Sequence, residues 1–369
     1  MRETILKKIV VASNDSCSNF DTFKEVSIEK LVRPNIQHLQ AYSCARDEYK
    51  GKEATFLDAN ENPYDNGYNR YPDPHQQELK AVLSQIKNVP TNQMILGNGS
   101  DELIDLIIRS FCEPAQDNMI VFSPGYAMYE VSAAINNVAV KKINLTADFL
   151  PDWQTMWQKV DEHTKIIFLC TPNNPTGKLI PLEQIEQVCR KFQGLVLVDE
   201  AYIDFTDEPS AIHLLERNKN VLVLQTLSKA WGMAGLRLGM CFSNSKVINI
   251  LNAVKPPYNI SSLTQSTVIE LLQDYDGFKQ KCLTLKAERQ RLLKELSSLG
   301  LFETVYDSDA NFILAITDQC REIYTYLIDQ QIVVRLRDIP PVISGGIRIT
   351  IGTEEENNDL LKALKNYTA

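Results

Sequence analysis

From about residue 93 to residue 242, short apolar runs rich in β-branched residues alternate with longer stretches whose apolar positions recur three and four apart. A run of the first kind suits a strand covered on both faces, and a stretch of the second kind makes a helix with one apolar stripe. The pattern predicts strands at 94–96, 119–122, 138–143, 165–170, 195–198, 221–224 and 236–242, with helices at 101–111, 127–135 and 182–192 between them. Strand and helix in alternation predict an α/β large domain, a mostly parallel sheet covered by helices on both faces.

Past residue 262 the rhythm changes to a long charged helix at 275–299, strands at 310–316, 332–335 and 347–351, and a closing helix at 354–367. This reads as a smaller α+β C-terminal domain, with Pro256 and Pro257 stopping the helix before it. Four parts are therefore expected: a disordered extension over 1–23, which is rich in Ser, Asn and Asp, an N-terminal arm over 24–52, a large domain over 53–262 and a small one over 263–369. The apolar residues of the arm suit packing on another surface.

Composition narrows the class. A 369-residue chain with 44% hydrophobic and 23% charged residues has the balance of a globular protein. Its net charge of −9 argues against a nucleic-acid partner, which needs clustered cations. No apolar run approaches the roughly 20 residues of a membrane helix, and Lys7 and Lys8 interrupt the apolar start, so neither a membrane partner nor a signal peptide is expected. The eight cysteines form no CxxC pair and read as reduced thiols of a cytoplasmic protein. His38, His75, His163 and His213 are scattered, so no metal site is expected.

The candidate chemistry gathers at strand ends, where open α/β sheets bind ligands. Lys229 closes the segment Gln225-Thr226-Leu227-Ser228-Lys229 after an apolar strand. Alone it reads as a surface lysine; in a desolvated site its neutral amine could attack an aldehyde and form a Schiff base. Asp199 ends the apolar strand Leu195-Val196-Leu197-Val198 and is followed by Glu200, Ala201 and Tyr202. Asp199 reads either as a helix cap or as a carboxylate facing a pyridine nitrogen, which it would keep protonated so that the ring serves as an electron sink. Tyr202 is near enough in sequence to offer its hydroxyl to the same ring.

Thr171-Pro172-Asn173-Asn174-Pro175-Thr176-Gly177 follows the strand at 165–170 and brings an amide to the same edge. Gly97-Asn98-Gly99-Ser100-Asp101-Glu102 lies between a strand and a helix, where open backbone N–H groups suit a phosphate. Thr226, Ser228 and Arg237 stand ready as further donors to it.

Together with Leu31-Val32-Arg33-Pro34-Asn35-Ile36, Asp58-Ala59-Asn60-Glu61-Asn62-Pro63, Asn69-Arg70-Tyr71-Pro72 and Ala234-Gly235-Leu236-Arg237-Leu238-Gly239, these motifs carry a resemblance. From about Leu31 to the C-terminus the chain resembles the fold-type I pyridoxal-phosphate aminotransferases, and within them the histidinol-phosphate aminotransferase branch. The resemblance implies that Lys229 carries the cofactor and shuttles the proton, that Asp199 holds the pyridine nitrogen, and that Asn174 and Tyr202 bind the phenolic oxygen. It implies that Tyr126 stacks on the ring. The phosphate would be held by the backbone amides of Gly99, Ser100 and Asp101 with Thr226, Ser228 and Arg237, and by Tyr71 from the other subunit of a homodimer. Tyr42, Asn174, Arg335 and Arg348 would meet the substrate, with the two arginines binding its carboxylate or phosphate.

The activity so implied exchanges an amino group between glutamate or 2-oxoglutarate and histidinol phosphate or its keto form, imidazole acetol phosphate, in histidine biosynthesis. An aromatic amino-acid aminotransferase or a threonine-phosphate decarboxylase would carry much the same cofactor residues. A non-catalytic sensor would need a DNA-binding domain, for which the stretch before the core leaves no expected room.

Overall fold

The structure is a computed structural model and describes residues 26–40 and 54–368. The expected extension at 1–23 and part of the expected arm, Tyr42 included, lie outside the described residues.

The large sheet is built from β1 (Met94–Asn98), β2 (Asn118–Ser123), β3 (Ala139–Asn144), β4 (Thr164–Cys170), β5 (Leu195–Asp199), β6 (Val221–Thr226) and β7 (Leu238–Phe242). Its order is β1-β7-β6-β5-β4-β2-β3, parallel throughout except that β7 runs against both β1 and β6. The mostly parallel α/β sheet is thus as expected. β7 starts later than its apolar run, because Ala234–Leu236 forms a 3-10 turn and Arg237 adopts a left-handed backbone with φ of 53°. A strand cannot include that conformation.

Continuous apolar strands bury both sheet faces, and the pleat sorts their side chains into two cores. Val196 and Val198 of β5 join Val221 and Val223 of β6 on one face, while Leu195 and Leu197 join Leu222 and Leu224 on the other. Extending the alternation past the last apolar residue sends Asp199 and Thr226 to the second face, and Glu200 and Gln225 to the first. There the Gln225 Nε2 donates to Glu200 Oε2 at 2.9 Å, and the Ala211 N–H donates to Glu200 Oε1 at 2.6 Å.

The smaller sheet is antiparallel, in the order β10 (Arg335–Leu336), β11 (Gly346–Thr350), β9 (Phe312–Ile316), β8 (Thr304–Tyr306). Helices Tyr275–Ser298, Cys320–Asp329 and Glu354–Lys365 cover it through Leu292, Leu296, Ile323, Leu327, Leu360 and Leu364. β10 lies further along than the predicted 332–335. The Ile332 N–H still closes the preceding helix on Leu327 O at 2.8 Å, after Gln331 turns left-handed at φ of 62°.

Helix Ser262–Leu271 was expected with the small domain. Its Val268 and the following Leu272 pack instead with Leu79 and Leu83 beside the large sheet, where the proline break at 256–257 does not end the core. Among the described residues, no helix is long and apolar enough to cross a membrane.

Two of the contacts that tie the units together involve turns at strand ends. The Trp231 ring, in the turn after β6, stacks on Phe278 of the long helix at 3.7 Å and 4°. The turn after β4 reaches the small unit, where the Asp309 N–H donates to Gly177 O at 2.8 Å. Gly177 has φ of +76°, and an added Cβ would lie 2.2 Å from Ser308 Oγ and 3.1 Å from its Cα. Gly177→Ala is therefore expected to cost about 1–3 kcal/mol of stability. Urea unfolding measures this, and an unchanged midpoint would show that the turn yields freely.

Candidate active site

The ends of β4, β5 and β6 and the first turn of helix Ser100–Phe111 enclose a cleft of about 220 Å³. Its walls include Ser100, Asp101, Tyr126, Asn174, Asp199, Tyr202, Thr226, Ser228, Lys229, Arg237 and Arg348, residues that the sequence marked from separate motifs.

Lys229 lines the cleft, with its Nζ 5.8 Å from the centre of the Tyr202 ring. Burial lowers its pKa below the ordinary lysine value, and the Arg348 guanidinium lowers it further by disfavouring a second cation nearby. The neutral, nucleophilic amine is correspondingly easier to populate.

Asp199 is only 3% exposed. Burial raises its carboxyl pKa, and hydrogen bonds from Tyr129 and the Ala201 N–H oppose that rise. The Tyr129 hydroxyl donates to Oδ2 at 2.6 Å and the Ala201 N–H to Oδ1 at 3.1 Å. Sequence reading missed Tyr129, taking it for part of an apolar stripe. The available signal was a hydroxyl one helical turn past Tyr126, facing a strand that ends in a carboxylate.

Asn174, Tyr202 and Arg348 form a connected set. Asn174 Nδ2 donates to the Tyr202 hydroxyl at 3.3 Å, and Arg348 Nη1 donates to Asn174 Oδ1 at 2.5 Å. The Arg348 guanidinium lies over the Phe312 ring at 5.2 Å, and its Nε is buried without a hydrogen-bond partner. A buried donor left so is available to an incoming anion.

The other expected arginine is placed differently. Arg335 sits opposite Arg348 in the β10–β11 register but is exposed, whereas Arg337 joins the cleft wall. Arg337 continues that register one residue past the end of β10, its N–H donating to Gly346 O at 2.7 Å. Burial and the neighbouring Arg348 and Arg335 lower the Arg337 pKa, as expected of clustered cations awaiting a counter-charge.

A cradle of donors suited to an anion forms another part of the cleft wall. The Ser100 and Asp101 N–H groups belong to the first turn of a helix, where the helix itself supplies no acceptor. The Gly99 amide, also expected there, is committed to Gly97 O at 2.8 Å. The Thr226 hydroxyl donates to Ser228 Oγ at 3.0 Å, and Arg237 Nη2 stands 3.9 Å from Asp101 Oδ2. Gly99 has φ of +80°, and a Cβ there would fall 2.5 Å from Arg237 Nη2. This donor set, with its glycine-lined floor, fits a phosphate, and the lysine–aspartate pair beyond it fits the aldehyde and ring nitrogen of pyridoxal phosphate.

Tyr71 is not in this cleft. It stacks on Tyr258 at 4.4 Å and lines a separate hollow with Arg70 and Asn259. Among the described residues, no group of three or more His, Cys, Asp or Glu could hold a metal ion.

A profile described as aminotransferase class I and II matches residues 48–364. The histidinol-phosphate aminotransferase of Christiangramia forsetii is 48% identical over 93% of this chain and 98% of its own length. That of Bacteroides thetaiotaomicron is 48% identical over 92% and 99%. Among solved structures, the histidinol-phosphate aminotransferase of Clostridium acetobutylicum aligns with a TM-score of 0.74 and 26% identity, covering 80% of this chain and 90% of that one. The enzyme of the same name from Sinorhizobium meliloti, solved in complex with pyridoxal-5'-phosphate, aligns with a TM-score of 0.74 and 25% identity over 80% and 82%.

Gly239 of β7 presses on the cradle, since a Cβ there would lie 2.4 Å from the Ser100 nitrogen. Backbone cannot give way as a side chain does. Gly239→Ala is expected to weaken pyridoxal phosphate binding at least about tenfold, the weight of one charge-assisted hydrogen bond. Equilibrium dialysis checks this, and wild-type affinity would show that the Ser100 amide is not required.

Proposed function

This chain belongs to the class I and II aminotransferases, and from that premise we propose that it moves the amino group of glutamate to imidazole acetol phosphate, giving 2-oxoglutarate and histidinol phosphate in histidine biosynthesis. The observation that carries this reading is the pairing of Lys229 and Asp199 in one cleft with Arg337 and Arg348. Guanidinium groups grip a carboxylate or a phosphate equally well, so one pocket serves glutamate and the phosphorylated partner in turn.

Pyridoxal phosphate, the cofactor of this family, supplies when bound an aldehyde that takes up the amino group and a ring that withdraws electrons from the substrate α-carbon. Each protein group has a task around it. The Lys229 amine holds the cofactor, then removes the α-proton and returns it. The Asp199 carboxylate holds a proton at the ring nitrogen. Asn174 Nδ2 and the Tyr202 hydroxyl orient the phenolic oxygen, and the Tyr126 ring covers the opposite face. The Ser100 and Asp101 amides, the Thr226 and Ser228 hydroxyls and Arg237 bind the phosphate.

We take the working form to be a cytoplasmic homodimer in which Tyr71 reaches the neighbouring subunit's phosphate. What supports this is that Tyr71 is 49% exposed and directed away from its own cleft. We draw the division between the two units after Leu272, on the packing of Val268 and Leu272.

The functional test is a half-reaction: cofactor-loaded protein mixed with histidinol phosphate, phenylalanine or threonine phosphate, with conversion read from the cofactor's absorbance. Histidinol phosphate should convert fastest. Faster reaction with phenylalanine would make the enzyme an aromatic aminotransferase, and carbon dioxide release from threonine phosphate would make it a decarboxylase. Lys229→Ala should bind the cofactor yet lose about 10²–10⁴-fold in rate, and near-normal single-turnover rates would remove the proton-carrying role.

The electrostatics give a pH prediction. Lys229 has a pKa below the ordinary 10.5, with burial the larger cause and Arg348 the second. Taking away the Arg348 charge raises that pKa, so at neutral pH less of the amine is unprotonated. In Arg348→Gln the midpoint of borohydride-trapped cofactor addition at residue 229 should move to higher pH. A midpoint unmoved or shifted down would show that the guanidinium does not act on the amine.

A further inference from the structure

Two tyrosines one helical turn apart each donate a hydroxyl to an aspartate. Tyr126 donates to Asp101 Oδ1 at 2.9 Å, on the cradle side, and Tyr129 to Asp199 Oδ2 at 2.6 Å. Their rings meet edge to face, 5.6 Å apart at 84°. One turn of helix Met128–Ile135 and the residues just before it therefore supplies both the ring that lines the cleft and the donor behind its carboxylate.

Tyr129 is placed firmly. It is 3% exposed, and its ring lies against Phe168 of β4 at 4.7 Å and 33°. Phe168 and Leu197 belong to the same core as Tyr129, on the sheet face to which the β5 pleat sends Asp199. Packing alone would be met by phenylalanine. What phenylalanine lacks is the hydroxyl, and its 2.6 Å contact falls within the range of about 2.5–2.7 Å typical of an O–H donor on an ionised oxygen.

The two oxygens of Asp199 are each satisfied from a different element, Oδ1 by the Ala201 N–H and Oδ2 by Tyr129. Two donors at an angle fix the plane of the carboxylate, where one would leave it to rotate.

We propose that Tyr129 is a positioning residue that fixes the Asp199 carboxylate, in orientation and in charge, against the ring nitrogen of the cofactor. The proposal rests on the aminotransferase reading above, because that reading supplies the ring nitrogen.

The charge on Asp199 is set by its burial and by the groups around it. Burial favours its neutral form, and Asp101 at the helix start pushes the same way; Tyr129, the Ala201 N–H and Lys229 favour the carboxylate. Cys170 and Tyr202 face the same space as neutral groups, because burial pushes the Cys170 thiol up to about 12 and raises the Tyr202 hydroxyl as well. Tyr129 itself is raised well above an ordinary tyrosine, mainly by burial and then by the Asp199 charge, so it stays a donor at neutral pH. Without its hydroxyl the buried carboxyl gains a proton more readily and leaves less reason for one on the ring.

The test uses full-length Tyr129→Phe loaded with cofactor labelled with ¹⁵N in the ring. Cofactor affinity should fall about ten- to hundredfold, the effect of one hydrogen bond to a charged group. At neutral pH the ring-nitrogen signal should move toward that of unprotonated pyridine, while the wild type keeps the protonated one. A role confined to packing would move neither readout, since the ring is retained.

Should Tyr129→Phe fail to fold, by its near-ultraviolet circular dichroism, Tyr129→His restores a ring N–H donor and decides the matter. A protonated ring nitrogen in that variant supports the proposal, and an unprotonated one overturns it. Affinity and nitrogen signal within about twofold of wild type in a folded Tyr129→Phe also overturn it. Absence of any lysine adduct in the wild type is a separate result, and it removes the functional reading.

Discussion

The pleat of β5 sends Asp199 to one face of the large sheet and Glu200 to the other, and the two carboxyl groups meet different surroundings there. Asp199 joins Tyr129, Thr226 and Lys229 at the cleft. Glu200 is enclosed by Gln225, Ser210 and the Ala211 amide, and burial pushes its pKa up to about 7. A one-residue slip in β5 would exchange these two acids. The register is held by five paired positions with β4 and by four with β6, from apolar residues buried on both sides, so the burial of the core and the placement of the chemistry are one constraint.

Around that constraint the cleft is organised by charge. A cationic pair, Arg337 and Arg348, stands at one side and helix-start amides at the other, and between them lie one amine and one carboxyl, both shifted by burial toward their neutral forms. Such a site favours ligands anionic at both ends. It also explains why Asn174 is buried: its amide links Tyr202 and Arg348, so the group facing the ring and the group facing the substrate share one hydrogen-bonded frame.

Much of this was legible in the residues. Strand ends carry ligands in parallel sheets, so apolar runs stopping at Asp199, Thr226 and Cys170 point to the cleft from the residues alone. Where sequence and structure differ, the causes are physical. The resemblance pointed to Arg335 on a run at 332–335 that reads as a strand, while Ile332 closes the preceding helix and Arg337 lines the cleft. The Gly99 amide was counted as a phosphate donor, yet a tight turn consumes it locally. Tyr129 was invisible because a tyrosine in an apolar stripe looks like core, and its hydroxyl's partner lies seventy positions away. Helix Ser262–Leu271 packs with Leu79 and Leu83 although it follows the prolines at 256–257, because prolines mark where a helix stops and say nothing about which core its successor joins.

The flat stack of Trp231 on Phe278 has a mechanical consequence. Trp231 shares a turn with Lys229, and Phe278 belongs to the helix packed on the arginine-bearing sheet, so one ring contact couples the seat of the nucleophile to the support of the anion-binding strand.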